Sequence, residues 1–257
     1  MTVPTRIEHM TKTIDLNIDL GEGQPHDAAL MVFASSCNIA CGGHCGDELS
    51  MRQALQSARE AGIHIGAHPS YPDRAGFGRR SLEIGDDELA ESLEKQLLAL
   101  RRLADDAGDR LSHVKPHGAL YHDLAASPGR AAMLRELVAS VLPHAALIGP
   151  PGGCLGEAAQ QAGRLYLAEG FADRGYRSDG RLLPRTASGA LLETVEESAC
   201  QAVSLVRDGV VRTIDGRIVP LAIDTLCLHG DTEDAIPRAR AIVHALRSAG
   251  IGIRCPL

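Results

Sequence analysis

Residues 13–20 read TIDLNIDL. Ile14, Leu16, Ile18 and Leu20 alternate with Asp15, Asn17 and Asp19, a period of two that predicts a β-strand with one apolar and one polar face. A parallel strand in an open α/β sheet is covered on both faces and reads as a continuous apolar run. A closed β/α barrel explains the alternation: the apolar face packs on outer helices and the polar face lines the interior near an active site. A solvated edge strand of an open sheet is the competing account, and this strand alone leaves both open.

Outward from that strand, short β-rich runs alternate with amphipathic helical stretches. Strands are expected at NIAC (38–41), 63–68, 113–120, 145–150, 165–173 and 223–231, which with 13–20 makes seven. Helices are expected over 48–62, ending on Gly62 as a left-handed cap, and over 86–107, 129–142, 154–163, 193–208 and 232–249. A long polar loop follows residue 173, and 210–221 reads as a hairpin on the Asp215–Gly216 turn. This alternation implies a parallel sheet with crossover helices. With no fixed-period repeat and no composition break, one domain over residues 1–257 is expected.

The 257 residues carry 26 Lys+Arg against 33 Asp+Glu, a net charge of -7, which argues against nucleic-acid or acidic-membrane partners. No Trp and only three Phe disfavour a reader of single strands by stacking. The seven cysteines are an odd number without a disulfide framework, and the N-terminus lacks an apolar run of signal-peptide length. Reduced thiols in the cytoplasm are the expectation. Neither G-x-x-x-x-G-K-[ST] nor a G-x-G-x-x-G between strand and helix occurs, so a P-loop is excluded and a dinucleotide fold unsupported.

Titratable residues recur where the expected strands run out: Asp19 and Glu22, His44 and Asp47, His68, Lys115 and His117, Asp173 and Arg174, His229 and Asp231. In a β/α barrel those ends share one rim, where catalytic groups collect. One of these stretches, CNIACGGHCGD (37–47), suggests zinc, but Cys-x3-Cys-x3-Cys is one crowded run without a distant partner pair. No tightly bound metal is expected; the alternative is a deacetylase-like set of Asp19, His44 and His68.

DLNIDLGEG, SSCNIACGGHCGD, IGAHPSYPDRAGFGRR, HVKPHGALY, EGFADRGYRSDGRLLPR and LCLHGDT, in order from Asp15 to Thr232, resemble the LamB/YcsF family. The resemblance implies a seven-stranded β/α barrel of the glycoside hydrolase/deacetylase type. It also implies membership of an ATP-dependent 5-oxoprolinase, which opens 5-oxo-L-proline to L-glutamate with partner subunits B and C. ATP, with Mg2+, would be the co-substrate, and a homo-oligomer is compatible with the reading. The alternatives are a stand-alone metal-dependent hydrolase and a non-catalytic member of the complex. The chain departs from the family pattern in passing quickly from GEG through QPHD, in GGHCG for GFHAG, and in AHPSYPD for AHPGYPD. Cys37 and Cys45 replace the usual Ala, so they look like local substitutions.

Under this resemblance Asp19, His68 and His117 are acid/base candidates, with Lys115 also in the catalytic set. Lys115, Arg174 and Arg185 would hold the substrate carboxylate or a phosphate. Asn17, Asn38 and His44 would position substrate, with Asp173, His229 and Asp231 completing the rim. His44 is expected to face the pocket and Asp47 to open the next helix. His113 is expected to have no part in the site.

Overall fold

The computed structural model describes residues 12–23, 26–230 and 232–257. Its elements, in chain order, begin with strand β1 (Lys12–Leu20), the short helix α1 (Asp27–Leu30), β2 (Ser36–Ala40), α2 (Glu48–Ala61), β3 (His64–His68) and α3 (Asp86–Ala107). There follow β4 (Leu111–Val114), α4 (Gly118–Ala126), α5 (Pro128–Val141), β5 (Ala146–Gly149), α6 (Cys154–Gln161), β6 (Tyr166–Phe171) and α7 (Val195–Val203). The chain ends with β7 (Val210–Arg212), β8 (Ile218–Pro220), β9 (Thr225–Leu228), α8 (Ala235–Ser248) and β10 (Ile251–Ile253).

Strands β1 to β6 and β9 pair in parallel, and β9 also pairs with β1, which closes a seven-stranded barrel. The register on β1 places Asp15 opposite Thr225 and Asp19 opposite Asn38. Side chains alternate along a strand. Asp15, Asn17 and Asp19 therefore turn inward, while Ile14, Leu16, Ile18 and Leu20 join the apolar core shared with the helices. The edge-strand account fails because Asp15 and Asn17 are buried. β10 pairs only with the start of β1, below the closed ring.

Local chemistry sets the element ends. Asp47 caps α2 through a reciprocal pair of bonds with Ser50, and Gly62 ends that helix in the left-handed region, as expected. α3 matches the expected 86–107, with Asp86, Asp87 and Glu88 in a first turn where the helix dipole favours anions. The 210–221 hairpin forms as β7–β8 around Asp215–Gly216. No helix among the described residues is long and apolar enough to cross a membrane.

Two expectations need correcting. The stretch 113–120 is not one strand: β4 stops at Val114 and α4 starts at Gly118. Pro116 lacks a ladder donor, and Gly118 takes φ +59°, a conformation that favours glycine, where a Cβ would collide with Gly78 O. The expected 193–208 helix is regular only to Val203; Ser204–Asp208 widen into a π-turn that Gly209 closes.

Gly66 on β3 has a different reason. A Cβ there would fall within the His113 ring, which occupies the barrel interior beside it. Gly66→Ala is therefore expected to destabilise the fold by about 1–3 kcal/mol through overpacking. Urea unfolding checks this: the midpoint falls while the m-value is unchanged.

Candidate active site

The inward face of the barrel is a stack of polar layers. At the bottom, Ser35, Ser36 and Thr225 donate their hydroxyls to the Asp15 carboxylate at 2.6–2.8 Å. Above it, Asn17 Nδ2 donates to Glu169 Oε1 (3.0 Å) and Thr225 Oγ1 (2.8 Å), while Asn17 Oδ1 accepts from Asn38 Nδ2 (2.8 Å). His113 Nε2 lies 2.9 Å from Asn38 Oδ1. Apart from the half-buried Ser35, each of these residues is 0–1% exposed, so each must find its partner inside.

Lys115, just past β4, comes next. Its Nζ lies 2.8 Å from Glu169 Oε1, 3.0 Å from Asp19 Oδ1, 3.0 Å from Asn17 Oδ1 and 3.1 Å from Cys227 Sγ. Burial by itself pulls this ammonium down. The carboxylates of Asp19 and Glu169 outweigh that and hold it well above the usual lysine value. Burial likewise pushes Asp19 up, but His68 and Lys115 hold it well below the carboxylate range. Both groups are ionised at neutral pH.

The top layer is the rim. His68 Nε2 stands 3.3 Å from Asp19 Oδ2, and its Nδ1 donates to Lys115 O at 2.7 Å. Burial lowers the His68 pKa, but the Asp19 charge and hydrogen bond raise it above its ordinary value. Glu22, in the turn after β1, meets His44 Nε2 at 3.0 Å and His117 Nδ1 at 3.3 Å. The His44 and His117 rings stack 3.6 Å apart. Burial pushes His117 down to about 4, and His44 is lowered for the same leading reason. Past β9, Asp173 accepts from the backbone N–H of His229 (3.2 Å) and holds its ring Nδ1 (2.9 Å).

A cavity of about 730 Å³ opens over this layer, a size suited to a small molecule. Asp19, His68, Lys115 and His117, the expected catalytic set, all line it, with Glu22, Arg79, Phe171, Arg174, Arg185 and His229. Other expected residues lie elsewhere. Asn17 and Asn38 sit beneath the floor, in the network that orients Lys115 and Asp19. His44 stands behind Glu22, and Asp173 backs His229 without lining the cavity. Arg174 borders the cavity, but its guanidinium donates to Ala190 O (3.0 Å) and Leu183 O (2.6 Å), so it braces the loop that forms one wall. Asp231 lies outside the described residues.

Glu22, Glu169 and Cys227 are missing from the expected set. A lone acid in the apolar run LYLAEGF is the signal for Glu169, because burying a carboxylate there requires a cation. His113 is structural as expected, yet it belongs to the barrel interior and not to a surface. The ligand atoms of Asp19, His44 and His68 do not form one set. Among the described residues, groups within 4.8 Å join His44 to Glu22 and His117, Asp19 to Glu22 and His68, and Asp19 to Cys227 and His229. None of these groups includes Cys37, Cys41 or Cys45, and all seven thiols are free.

Burial pushes His113 down to about 4, below the ordinary value of about 6.5. Between those values the unfolded chain binds a proton that the folded chain does not, so this stability contribution is lost as pH falls. Urea midpoints measured from pH 7 to 4.5 should decline, and His113→Gln should flatten the decline by up to about one proton.

Among known proteins, the model of the LamB/YcsF family matches residues 14–257. A 5-oxoprolinase component of Histophilus somni (strain 129Pt), the first-lettered of that enzyme's subunits, is 44% identical over 240 residues, covering 93% of this chain and 97% of that protein. The crystal structure of the lactam utilization protein from Thermus thermophilus superposes with a TM-score of 0.87 at 36% identity, covering 94% of this chain and 99% of that one. A GH18 chitinase from Pseudoalteromonas aurantia, 10% identical with a TM-score of 0.54 over 90% of this chain and all of that one, shares the fold alone.

Proposed function

Because the chain belongs to the LamB/YcsF family and is a subunit of a 5-oxoprolinase complex, we propose that its cavity opens 5-oxo-L-proline to L-glutamate at the expense of ATP, together with partner subunits B and C. The observation that carries the chemistry is the Lys115–Asp19–His68 chain at the cavity floor, with contacts of 3.0 and 3.3 Å.

A lactam carbonyl is resonance-stabilised, and transfer of a phosphoryl group to its oxygen makes the ring carbon electrophilic. This need supports ATP, with Mg2+, as co-substrate. Water then adds to that carbon, the C–N bond breaks as the ring nitrogen takes up a proton, and the resulting γ-glutamyl phosphate is hydrolysed by a second water to glutamate and inorganic phosphate. His68, whose hold on a proton Asp19 strengthens, is positioned as the acid for that nitrogen. Lys115 supplies a fixed positive charge beneath the developing oxyanion. Arg185 and His229, which also line the cavity, are the groups proposed to face the substrate carboxylate. The free thiols support a reducing, cytoplasmic setting.

The test is glutamate release from 5-oxoproline by the chain with its partner subunits, with and without ATP. Release should require ATP, and His68→Gln should lower turnover by about 10²–10⁴-fold with the fold intact by circular dichroism. Full turnover in the folded variant would assign the chemistry to another chain. ATP-independent cleavage by this chain alone would favour a stand-alone hydrolase.

A further inference from the structure

His68 and His117 meet through their ring nitrogens, and carbonyl groups fix which of those nitrogens carry protons. A carbonyl only accepts, so His68 Nδ1 is protonated toward Lys115 O (2.7 Å) and His117 Nε2 toward Phe77 O (3.0 Å). The Phe77 carbonyl is itself held in place. Phe77 takes φ +53°, rare for a bulky side chain, and Ala119 N–H donates to Gly78 O (2.9 Å), which ties that turn to the start of α4. The remaining nitrogens, His68 Nε2 and His117 Nδ1, lie 3.0 Å apart with their rings nearly perpendicular. Such a contact takes one proton. With none, two lone pairs face each other; with two, the N–H groups collide.

Carboxylates flank that contact evenly. Asp19 Oδ2 stands 3.3 Å from His68 Nε2, and Glu22 Oε1 stands 3.3 Å from His117 Nδ1. His44 does not compete for the proton: its Nδ1 has no partner, and its neutral ring places its one N–H on Nε2, 3.0 Å from Glu22 Oε1. The neighbouring cations are Lys115, engaged by Asp19, and Arg79, which lies over the Phe77 ring. We infer that His68 and His117 share a single proton along this line, and that Glu22 is a positioning residue that makes His117 its second seat. The resting seat is His68, because burial pushes His117 down to about 4 whereas Asp19 raises His68. Transfer breaks the N–H bond at His68 Nε2, forms one at His117 Nδ1, and moves the charge from beside Asp19 to beside Glu22. His68 Nε2 is then left with a lone pair. On the 5-oxoprolinase reading, on which this consequence rests, one imidazole can act first as base on the attacking water and then as acid on the ring nitrogen. Both rings line the cavity.

The test is nitrogen NMR of the full chain with labelled histidine, followed against pH, the two rings being assigned by their loss in His68→Gln and His117→Gln. At neutral pH the pair should carry three ring N–H protons, with the carbonyl-bound nitrogens of both rings protonated, and one should leave as pH rises. Two or four such protons in the wild-type chain would overturn the shared proton. Removing the Glu22 charge disfavours the protonated pair, so Glu22→Gln should lower the midpoint of that loss by about 1–3 in pH. An unchanged midpoint in the folded variant would remove Glu22 from the role. In the chain assembled with its partner subunits, the alkaline limb of kcat/KM for 5-oxoproline should move down with the midpoint. An inactive wild-type assembly would overturn the 5-oxoprolinase reading, whereas the proton count involves no lactam cleavage and decides the pair by itself.

Discussion

Lys115 is the charge around which the barrel interior is arranged. It is one of three lysines in the chain and is 2% exposed. A buried ammonium without partners would unfold the protein or lose its proton, so its surroundings are constrained. Glu169 on β6, Asp19 and Asn17 on β1, and Cys227 on β9 come to it from three strands. No two of those strands are sequential in the chain, so the interaction forms only when the ring closes. It is consequently a measure of correct closure as well as a part of the site.

The layers beneath Lys115 give its partners their directions. Asn17 uses its amide nitrogen on Glu169 and Thr225 and its oxygen on Asn38 and Lys115, which leaves it a single orientation. Asn38 likewise accepts from His113 and donates to Asp19. A polar network of this kind is rigid, because rotating Asn17 or Asn38 strands buried donors and acceptors. The carboxylate and the ammonium at the cavity floor are therefore held in place before any substrate arrives, which is the form of electrostatic preorganisation that catalysis uses.

Much of this was legible in particular residues. The alternation of TIDLNIDL already contained the two faces of a barrel strand, and the histidines and acids at strand ends mark the rim. The roles within the rim were less legible. Asn17, Asn38, His44 and Asp173 are expected to touch substrate, yet they stand one layer behind Asp19, Lys115, Glu22 and His229. Sequence spacing reports which face of a strand a residue occupies, but not its depth along the barrel axis relative to other strands, because that depends on stagger. Arg174 shows the same limit: its position after β6 is plain, but its commitment to Ala190 and Leu183 depends on how a long loop returns.

The sequence by itself determined the alternation of strands and helices, the caps at Asp47 and Gly62, and the collection of titratable groups at strand ends. Periodicity and local backbone preferences act over a few residues and need no distant partner. Only the tertiary structure decided that Glu169, 54 residues beyond Lys115, neutralises it, that Gly66 makes room for His113, and that three histidines, one ending β3 and two from loops, converge on Glu22. Those outcomes depend on the register with which a closed ring aligns strands far apart in the chain, and the cost of burying unpaired polar groups selects that register.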